Sequence, residues 1–122
     1  MIQKTDKYTE LSDFEINKKV ADLIGATPFP FGSTDYRRSA VSGCESAIII
    51  RSPRKVGSFD SCNNPTDAMP IIIENGISST FNNGEWICTI SNGEILSFNE
   101  NLYRAAMEVF LMMKDAEREA NT

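Results

Sequence analysis

The feature that most constrains the fold is a long amphipathic pattern near the end of the sequence. Apolar residues recur there at intervals of three and four, the spacing of one face of an α-helix. They are Leu102, Ala105, Ala106, Val109, Phe110 and Met113. Asn101 stands where the N-cap of such a helix belongs. The opposite face is expected to be charged and to carry Glu108, Lys114, Asp115 and Glu117. A helix with this stripe needs an apolar surface to cover it.

Three short segments with strand character precede this helix. They are residues 77–81, 85–90 and 94–98. Asn83-Gly84 and Asn92-Gly93 separate them, and Asn-Gly readily adopts the positive φ angles of a type I′ hairpin turn. We therefore predict an antiparallel meander that packs against the last helix.

A second helix is predicted near the start of the chain. Ser12 can cap it, because Glu15 stands three residues later, where the two side chains satisfy each other's free backbone N–H groups. Gly25 fits the left-handed residue that commonly ends a helix. The helix is therefore expected over about 13–24.

The middle of the chain is less regular. Residues 26–43 contain prolines, glycines and aromatics without helical spacing, which predicts an irregular excursion. The β-branched run 46–51 predicts a strand that is buried on both faces. Ser52-Pro53 predicts a turn after it, and the turn could pair this strand with residues 56–59.

A short buried helix is predicted after these strands. Pro65 is tolerated in a first helical turn, Asn64 or Asp67 can cap the free N–H groups, and Gly76 can end the helix. Residues 70–75 are also compatible with a strand, because they include three consecutive isoleucines and the run is too short to be assigned by its length.

Together these elements predict an α+β fold. It comprises an antiparallel sheet of about four strands, an N-terminal helix, a short central helix and a long C-terminal amphipathic helix. We expect residues 1–122 to form a single domain, with residues 1–10 flexible. The longest apolar runs fall far short of the ~20 residues that span a bilayer, and the N-terminus lacks a signal-peptide core. We therefore expect a soluble, cytoplasmic protein that has no membrane partner.

The residue types present exclude several kinds of chemistry. The sequence has no histidine, so Ser-His-Asp and Cys-His nucleophile systems and the H-E-x-x-H zinc site are excluded. Cys44, Cys62 and Cys88 lie far apart, which supports neither a disulfide framework nor a cysteine zinc site. We expect no catalytic residue, no metal and no cofactor, and interpret the protein as a non-enzyme.

Charge is distributed unevenly along the chain. The net charge of −5 argues against a nucleic-acid polymer as partner, because such binding draws its affinity from clustered Lys and Arg. Residues 36–56 nevertheless contain five cations and one acid, whereas residues 57–103 contain six acids and no cation. A small anionic ligand, for instance a nucleotide, is therefore expected near the first segment.

Two groups of residues are candidates for contact with such a ligand. The first would clamp a phosphate with guanidinium groups and stack a base on an aromatic ring. Its members are Phe31, Tyr36, Arg37, Arg38, Arg51 and Arg54. The second would hydrogen-bond a small polar molecule and consists of Asn63, Asn64 and Asp67. Each group also has a structural interpretation. The first group could be a solvated face that balances the charge of an acidic protein, and the second could be a capped turn that leads into a buried helix.

Three stretches of the sequence share the pattern of one family. They are Leu11-Ser12-Asp13-Phe14-Glu15-Ile16-Asn17-Lys18; Cys62-Asn63-Asn64-Pro65 with Asp67-Ala68, Pro70-Ile71-Ile72 and Glu74-Asn75; and Arg104-Ala105-Ala106-Met107 with Phe110-Leu111-Met112-Met113. They resemble the NinX-type proteins of temperate bacteriophages and prophages, although Met69 stands where family members tend to have an aromatic. Residues 26–60 carry no part of the resemblance. It implies a small accessory phage protein in the host cell during infection or prophage carriage, and it implies no activity.

Three functions are compatible with these observations. In the first, the protein is a sponge that sequesters a nucleotide-derived immune signal and so counters host antiphage defence. In the second, it regulates a host or phage protein by binding it through the C-terminal helix or the long loop. In the third, it is a carboxylate-dependent enzyme that degrades such a signal.

A homodimer or higher homo-oligomer through the C-terminal helix is also expected. Met107, Met112 and Met113 spread apolar character around that helix beyond a single stripe. This surface needs a partner, either within the chain or from a second copy.

Overall fold

The computed structural model describes residues 7–90 and 93–120, which form three helices and seven strands. The helices are α1 (Asp13–Leu23), α2 (Pro65–Asn75) and α3 (Leu102–Ala120). The strands are β1 (Thr27–Pro28), β2 (Arg37–Arg38), β3 (Ile48–Arg51), β4 (Val56–Phe59), β5 (Ser78–Asn82), β6 (Glu85–Ile90) and β7 (Ile95–Asn99). The predicted α+β class is confirmed.

The strands form two antiparallel sheets. In the first, β4 pairs with all four residues of β3, while β1 and β2 share the opposite edge of β3. The second is the predicted meander, in the order β5-β6-β7. The single sheet of about four strands that is predicted from the sequence is divided in two, because α2 separates β1–β4 from β5–β7 along the chain. The predicted irregular segment 26–43 contributes only the two-residue strands β1 and β2.

The ends of the first two helices follow local side-chain chemistry. Ser12 Oγ accepts a hydrogen bond of 3.1 Å from the backbone N–H of Glu15, and Gly25 follows α1 with a φ of 84°. The Asn64 side chain accepts from the N–H of Thr66 at 2.9 Å, and Gly76 ends α2 with a φ of 64°. Residues 70–75 are therefore helical, and the strand alternative is excluded.

The first predicted hairpin turn is also confirmed. Asn83 and Gly84 both have positive φ, at 53° and 81°, as a type I′ turn requires. Of the second predicted turn, Ser91 and Asn92 lie outside the described residues. Residues 1–6 of the segment predicted to be flexible also lie outside them, whereas Tyr8 is buried.

The α3 helix lies at the centre of the molecule. One side packs against β6 and β7, and the other packs against α1 and α2. Because α3 is covered on both sides, every residue from Arg104 to Met112 is buried. Met107 and Met112 are therefore covered by residues of the same chain, and no second copy of the chain is needed to bury them.

One prediction about α3 was wrong. Glu108 was expected on the exposed face, but it is 1% exposed. Its carboxylate is buried because α3 is covered on both sides, and Arg104, one turn earlier, compensates the charge by donating to it at 2.6 Å. None of the helices in the described part of the chain combines the length and apolar character of a membrane span.

Candidate functional site

A groove of about 570 Å³ opens between α2, the β3–β4 hairpin and α3. Its apolar lining consists of Leu23, Ile24 and Pro70, which are at least partly exposed, and of Ile50, Phe59, Ile71 and Phe110 behind them, which are at most 4% exposed. Its charged residues are Arg54, Lys55, Asp67, Glu74 and Lys114. We call it the central groove. A groove of this volume, with an apolar wall and a few convergent polar groups, has the properties of a small-molecule site.

Asp67 organises one side of the central groove. Its side chain is 3% exposed, and Oδ1 accepts from Lys55 Nζ at 2.9 Å. Its Oδ2 accepts from the backbone N–H of Asp60 at 2.9 Å. Asp67 also lies in the first turn of α2, where the helix dipole favours a negative charge. It therefore holds the Lys55 ammonium group at the groove wall.

Arg54 lies at the rim of the groove and forms an ion pair with Glu74. Both side chains are largely solvent-exposed, at 63% and 56%. Exposed pairs of this kind contribute only about 0–1 kcal/mol, because water screens the attraction. An anion that enters the groove can therefore replace the Glu74 carboxylate at low cost.

The charge of the central groove differs from that of the whole chain. Among its lining residues, Arg54, Lys55 and Lys114 outnumber the two carboxylates of Asp67 and Glu74. The chain as a whole has a net charge of −5. The groove lining therefore has one more cation than carboxylates, on an acidic protein. Lys114 also pairs with Glu117 outside the lining, so an anionic ligand would compete with carboxylates for these cations.

A second groove, of about 610 Å³, lies on the other side of the β3–β4 turn. Its lining includes Pro28, Phe31 and Arg51, and it shares Ser52 and Pro53 with the central groove. We call it the outer groove. Phe31 is 91% exposed, and Arg51 is also exposed. Both side chains are thus available for contact with a ligand.

The remaining members of the predicted phosphate clamp lie outside both grooves. Tyr36 is buried, and its hydroxyl lies 2.8 Å from the Asp22 carboxylate. Burial and this hydrogen bond raise the pKa of Tyr36. The guanidinium of Arg38 stacks on the Phe14 ring at 3.9 Å, and Arg37 is exposed on β2. The structure thus places Arg51 and Phe31 in the outer groove and Arg54 and Asp67 in the central groove, but it does not join all six residues in one clamp.

Asn63 and Asn64 are occupied in structural contacts. Asn64 caps α2, as described above. Asn63 Nδ2 lies 3.1 Å from the Asp13 carboxylate, and its Oδ1 accepts from Asn101 Nδ2 at 2.9 Å. These contacts agree with the interpretation of this segment as a capped turn, and neither residue lines the described grooves.

Asn17 is the centre of a buried polar network beside this turn. Its Nδ2 donates to the carbonyl of Ser46 at 2.9 Å and to Asp60 Oδ1 at 2.8 Å. Its Oδ1 accepts from Ser61 Oγ at 2.8 Å and from the backbone N–H of Cys62 at 3.2 Å. With four partners, this fully buried amide ties α1 to the loop that precedes β3 and to the loop that follows β4.

Arg104 extends the network to α3. Its guanidinium donates to Glu108 and Asp13, each at 2.6 Å, and to the carbonyls of Tyr8 and Leu11 at 2.9 and 2.7 Å. Desolvation disfavours its charge, but the hydrogen bonds to Asp13 and Glu108 outweigh this effect and raise the pKa of Arg104.

The three stretches that resemble NinX-type proteins meet in this network. Asp13 and Asn17 come from the first stretch, Asn63 from the second and Arg104 from the third. The chain matches the family described as bacteriophage P22 NinX over residues 7–114. The protein belongs to the NinX family. The match includes residues 26–60, so the segment that builds the outer groove lies within the family's extent.

Two further comparisons found no match. No curated protein and no solved structure matched the chain. Within residues 7–90 and 93–120, no cluster of three or more Cys, Asp or Glu side chains is arranged to hold a metal ion.

Sequence reasoning missed several residues of the NinX grooves and network. Lys55 was counted among the cations but not as a site residue, although its position next to Arg54 was a usable signal. Phe110 and Lys114 stand four residues apart on α3, a spacing that places them on one face. Glu74 gave no comparable signal, because its partner Arg54 is distant in the sequence. Arg104 was missed because its i, i+4 partner Glu108 was assigned to the exposed face.

Proposed function

We propose that this NinX-family protein binds a small anionic ligand in the central groove without converting it chemically. The class we place first is a nucleotide, which combines a flat ring with a phosphate. Sequestering such a ligand would remove a host immune signal from solution during phage infection. The observation that carries this proposal is the combination of an apolar wall with a cationic rim in one groove.

Size and wall chemistry support a ligand that contains a ring. The groove volume of about 570 Å³ falls within the roughly 300–1,000 Å³ of typical small-molecule sites. Leu23, Ile24 and Pro70 are at least partly exposed and supply apolar surface against which a ring can pack.

The rim supports an anionic group on the same ligand. Arg54 can exchange Glu74 for a phosphate, and guanidinium groups bind phosphate through two parallel hydrogen bonds. Lys55 and Lys114 add two further ammonium groups to the lining, which are paired with Asp67 and Glu117.

The carboxylates of the groove favour binding over catalysis. Both oxygens of Asp67 accept hydrogen bonds, from Lys55 and from the Asp60 backbone. Glu74 is ion-paired with Arg54. Because both carboxylates are held by cations, they are better suited to positioning Lys55 and Arg54 than to taking a proton from a substrate.

Ligand-dependent thermal unfolding tests this proposal. A panel of mononucleotides, cyclic nucleotides and ADP-ribose derivatives would be added to the purified protein. A true ligand present at several hundred times its Kd should stabilise the fold by about 3–4 kcal/mol. Chromatography after heat denaturation should recover the ligand intact, whereas a recovered product would support the enzyme alternative.

Two variants locate the site. Arg54→Gln and Lys114→Gln should each weaken binding at least about tenfold, because each removes a cation from the rim. Arg37→Gln is the matched control, since Arg37 is an exposed cation of the same sheet that lines neither groove. A panel that stabilises nothing would contradict the proposal and favour the interaction with a host or phage protein.

A further inference from the structure

We propose that the ligand has two ring systems joined through phosphate, as in a dinucleotide, and that it occupies the central and outer grooves together. This inference rests on the proposed function, because it extends the same binding site. It assigns the outer groove a role, with Arg51 and Phe31 as the residues that select a two-part ligand.

The two grooves meet at one narrow ridge, which we define as the turn of residues 52–55. Ser52 and Pro53 line both grooves. The backbone N–H of Ser52 donates to the carbonyl of Lys55 at 2.8 Å. Ser52 Oγ accepts from the N–H groups of Arg54 and Lys55 at 3.3 and 3.2 Å. The ridge is therefore a rigid turn that a linker between two rings can cross.

Cations lie on both groove sides of Ser52 and Pro53, the two residues that the grooves share. Arg51 lines the outer groove, while Arg54 and Lys55 line the central groove. None of the described residues that line the outer groove is acidic. A phosphate linker that crosses the ridge would therefore lie between positive groups on both sides, which suits its charge.

Each groove also offers a surface for one ring. Phe31 presents a 91% exposed aromatic face in the outer groove, and base stacking on such a side chain contributes about 1–3 kcal/mol. In the central groove, Leu23, Ile24 and Pro70 present apolar surface that is at least partly exposed. A ligand with two rings would thus cover apolar surface that a ligand with one ring leaves in water.

Linking the two rings should raise the affinity strongly. Once the first ring is bound, the second binds intramolecularly, and linkage of this kind typically increases affinity by about 10²–10⁴ when the geometry permits both contacts. The expected signature is therefore a large preference for two-part ligands over their halves.

Isothermal titration with three probes tests the inference. The probes are AMP, a linear diadenosine phosphate and cyclic di-AMP, which separate one ring from two and an open linker from a closed one. We expect at least one two-ring probe to bind about 100-fold or more tightly than AMP. Arg51→Gln and Phe31→Ser should bring that probe close to the affinity of AMP and leave AMP itself unchanged.

Two further variants serve as positive and negative controls for the binding site. Arg54→Gln should weaken all probes that bind, whereas Arg37→Gln should weaken none. Arg51 and Phe31 are exposed, so their variants should unfold at the temperature of the wild type. If the two-ring probes bind no more tightly than AMP, the inference is wrong and the central-groove proposal stands. If Arg51→Gln weakens AMP equally, the inference is wrong and AMP binds in the outer groove. If no probe binds, and the wider nucleotide panel is also flat, the proposed function fails as well.

Discussion

Arg104 is a charged side chain in a place that water barely reaches. Its side chain is 8% exposed, and its partners are two carboxylates and the backbone of the N-terminal segment. A buried ion pair contributes little net stability when compared with a well-packed apolar pair, but removing one partner leaves the other charge buried and uncompensated. Loss of the Arg104 side chain would therefore destabilise the protein mainly by leaving the carboxylates of Asp13 and Glu108 without a counter-charge.

We predict that Arg104→Met destabilises the protein by about 3–5 kcal/mol. The substitution keeps an unbranched side chain but leaves the carboxylates of Asp13 and Glu108 without their cation. The free energy of unfolding from urea denaturation would measure the loss.

A matched control and a double variant separate charge from packing. Arg118→Met on the same helix should cost no more than about 1 kcal/mol, because the Arg118 side chain is 72% exposed. Arg104→Met combined with Glu108→Met should cost clearly less than the sum of the single losses. If the losses simply add, the two side chains are not coupled and this interpretation of the network is incorrect.

Sequence reasoning could identify these residues only in part. Arg104 and Glu108 have the i, i+4 spacing of a helical ion pair, which is visible in the sequence. The amphipathic pattern nevertheless placed Glu108 on the solvent side, because a one-sided stripe predicts a helix that is covered once. Two layers cover α3, and the second layer comes from distant residues of α1 and α2.

At the scale of elements, the N-terminal segment is attached to the far end of α3. The Tyr8 hydroxyl hydrogen-bonds to the Asp115 carboxylate, and Lys7 Nζ lies 3.1 Å from it. Desolvation opposes the charge of Asp115, but the hydrogen bonds from Tyr8 and Lys7 outweigh it and lower the pKa of this carboxyl. The negative form is therefore favoured by folding.

We predict a pH-dependent contribution from this contact. Because the pKa is lower in the folded protein than in the unfolded chain, the stabilisation is present above about pH 4 and disappears as the pH falls through the folded pKa. Asp115→Asn should cost about 1–2 kcal/mol at pH 7 and clearly less near pH 3. Urea unfolding at both pH values would measure this.

Glu117→Gln is the control for the contact. Glu117 lies on the same helix in an exposed pair with Lys114, so its substitution should change the unfolding free energy by less than about 1 kcal/mol at either pH. An Asp115→Asn cost that stays constant between the two pH values would show that the carboxylate charge is not the cause.

The helices were easier to predict than the first sheet, for a physical reason. Helix ends depend on residues a few positions apart, such as Ser12 with Glu15 or Asn64 with Thr66. The strands β1 and β2 have two residues each, too few to show an alternating pattern, and their pairing with β3 is long-range. The division into two sheets was therefore beyond a local analysis.

At the scale of the whole molecule, both sheets are connected to the start of α3. The carbonyl of Cys62 accepts from Asn101 Nδ2 at 2.8 Å, on the side of the first sheet. In the second sheet, Cys88 Sγ lies 3.7 Å from the carbonyl of Leu102. The two thiols therefore report on the two halves of the core.

We predict that Cys62 and Cys88 become reactive over the same range of urea concentration. Burial raises the pKa of both thiols, that of Cys88 to about 11, so each is nearly inert to alkylation while folded. Mass spectrometry after brief iodoacetamide pulses would give the modified fraction of each cysteine.

Cys44 is the internal control, because it is only partly buried and should react first. Coincident transitions of Cys62 and Cys88 would support the predicted single domain. Two separate transitions would show that the sheets unfold independently.

Several residues of the two grooves could be recognised in the sequence, but their arrangement could not. The cationic segment and the Asp67 turn were recognisable as ligand candidates in the sequence. Their assignment to two grooves that meet at the 52–55 ridge depends on the hairpin of β3 and β4 and on the position of α2 beside it. That arrangement brings Arg54 to Glu74 and moves Tyr36 and Arg38 away.

The central position of α3 also has a consequence for the timing of synthesis. The ribosome produces every other described element before α3, yet β6, β7, α1 and α2 all pack against it. At about 5–20 residues per second, the earlier elements therefore wait several seconds on the ribosome with their apolar faces uncovered. We expect nascent chains that stop before Asn101 to engage chaperones, and chains that extend through α3 to be released from them.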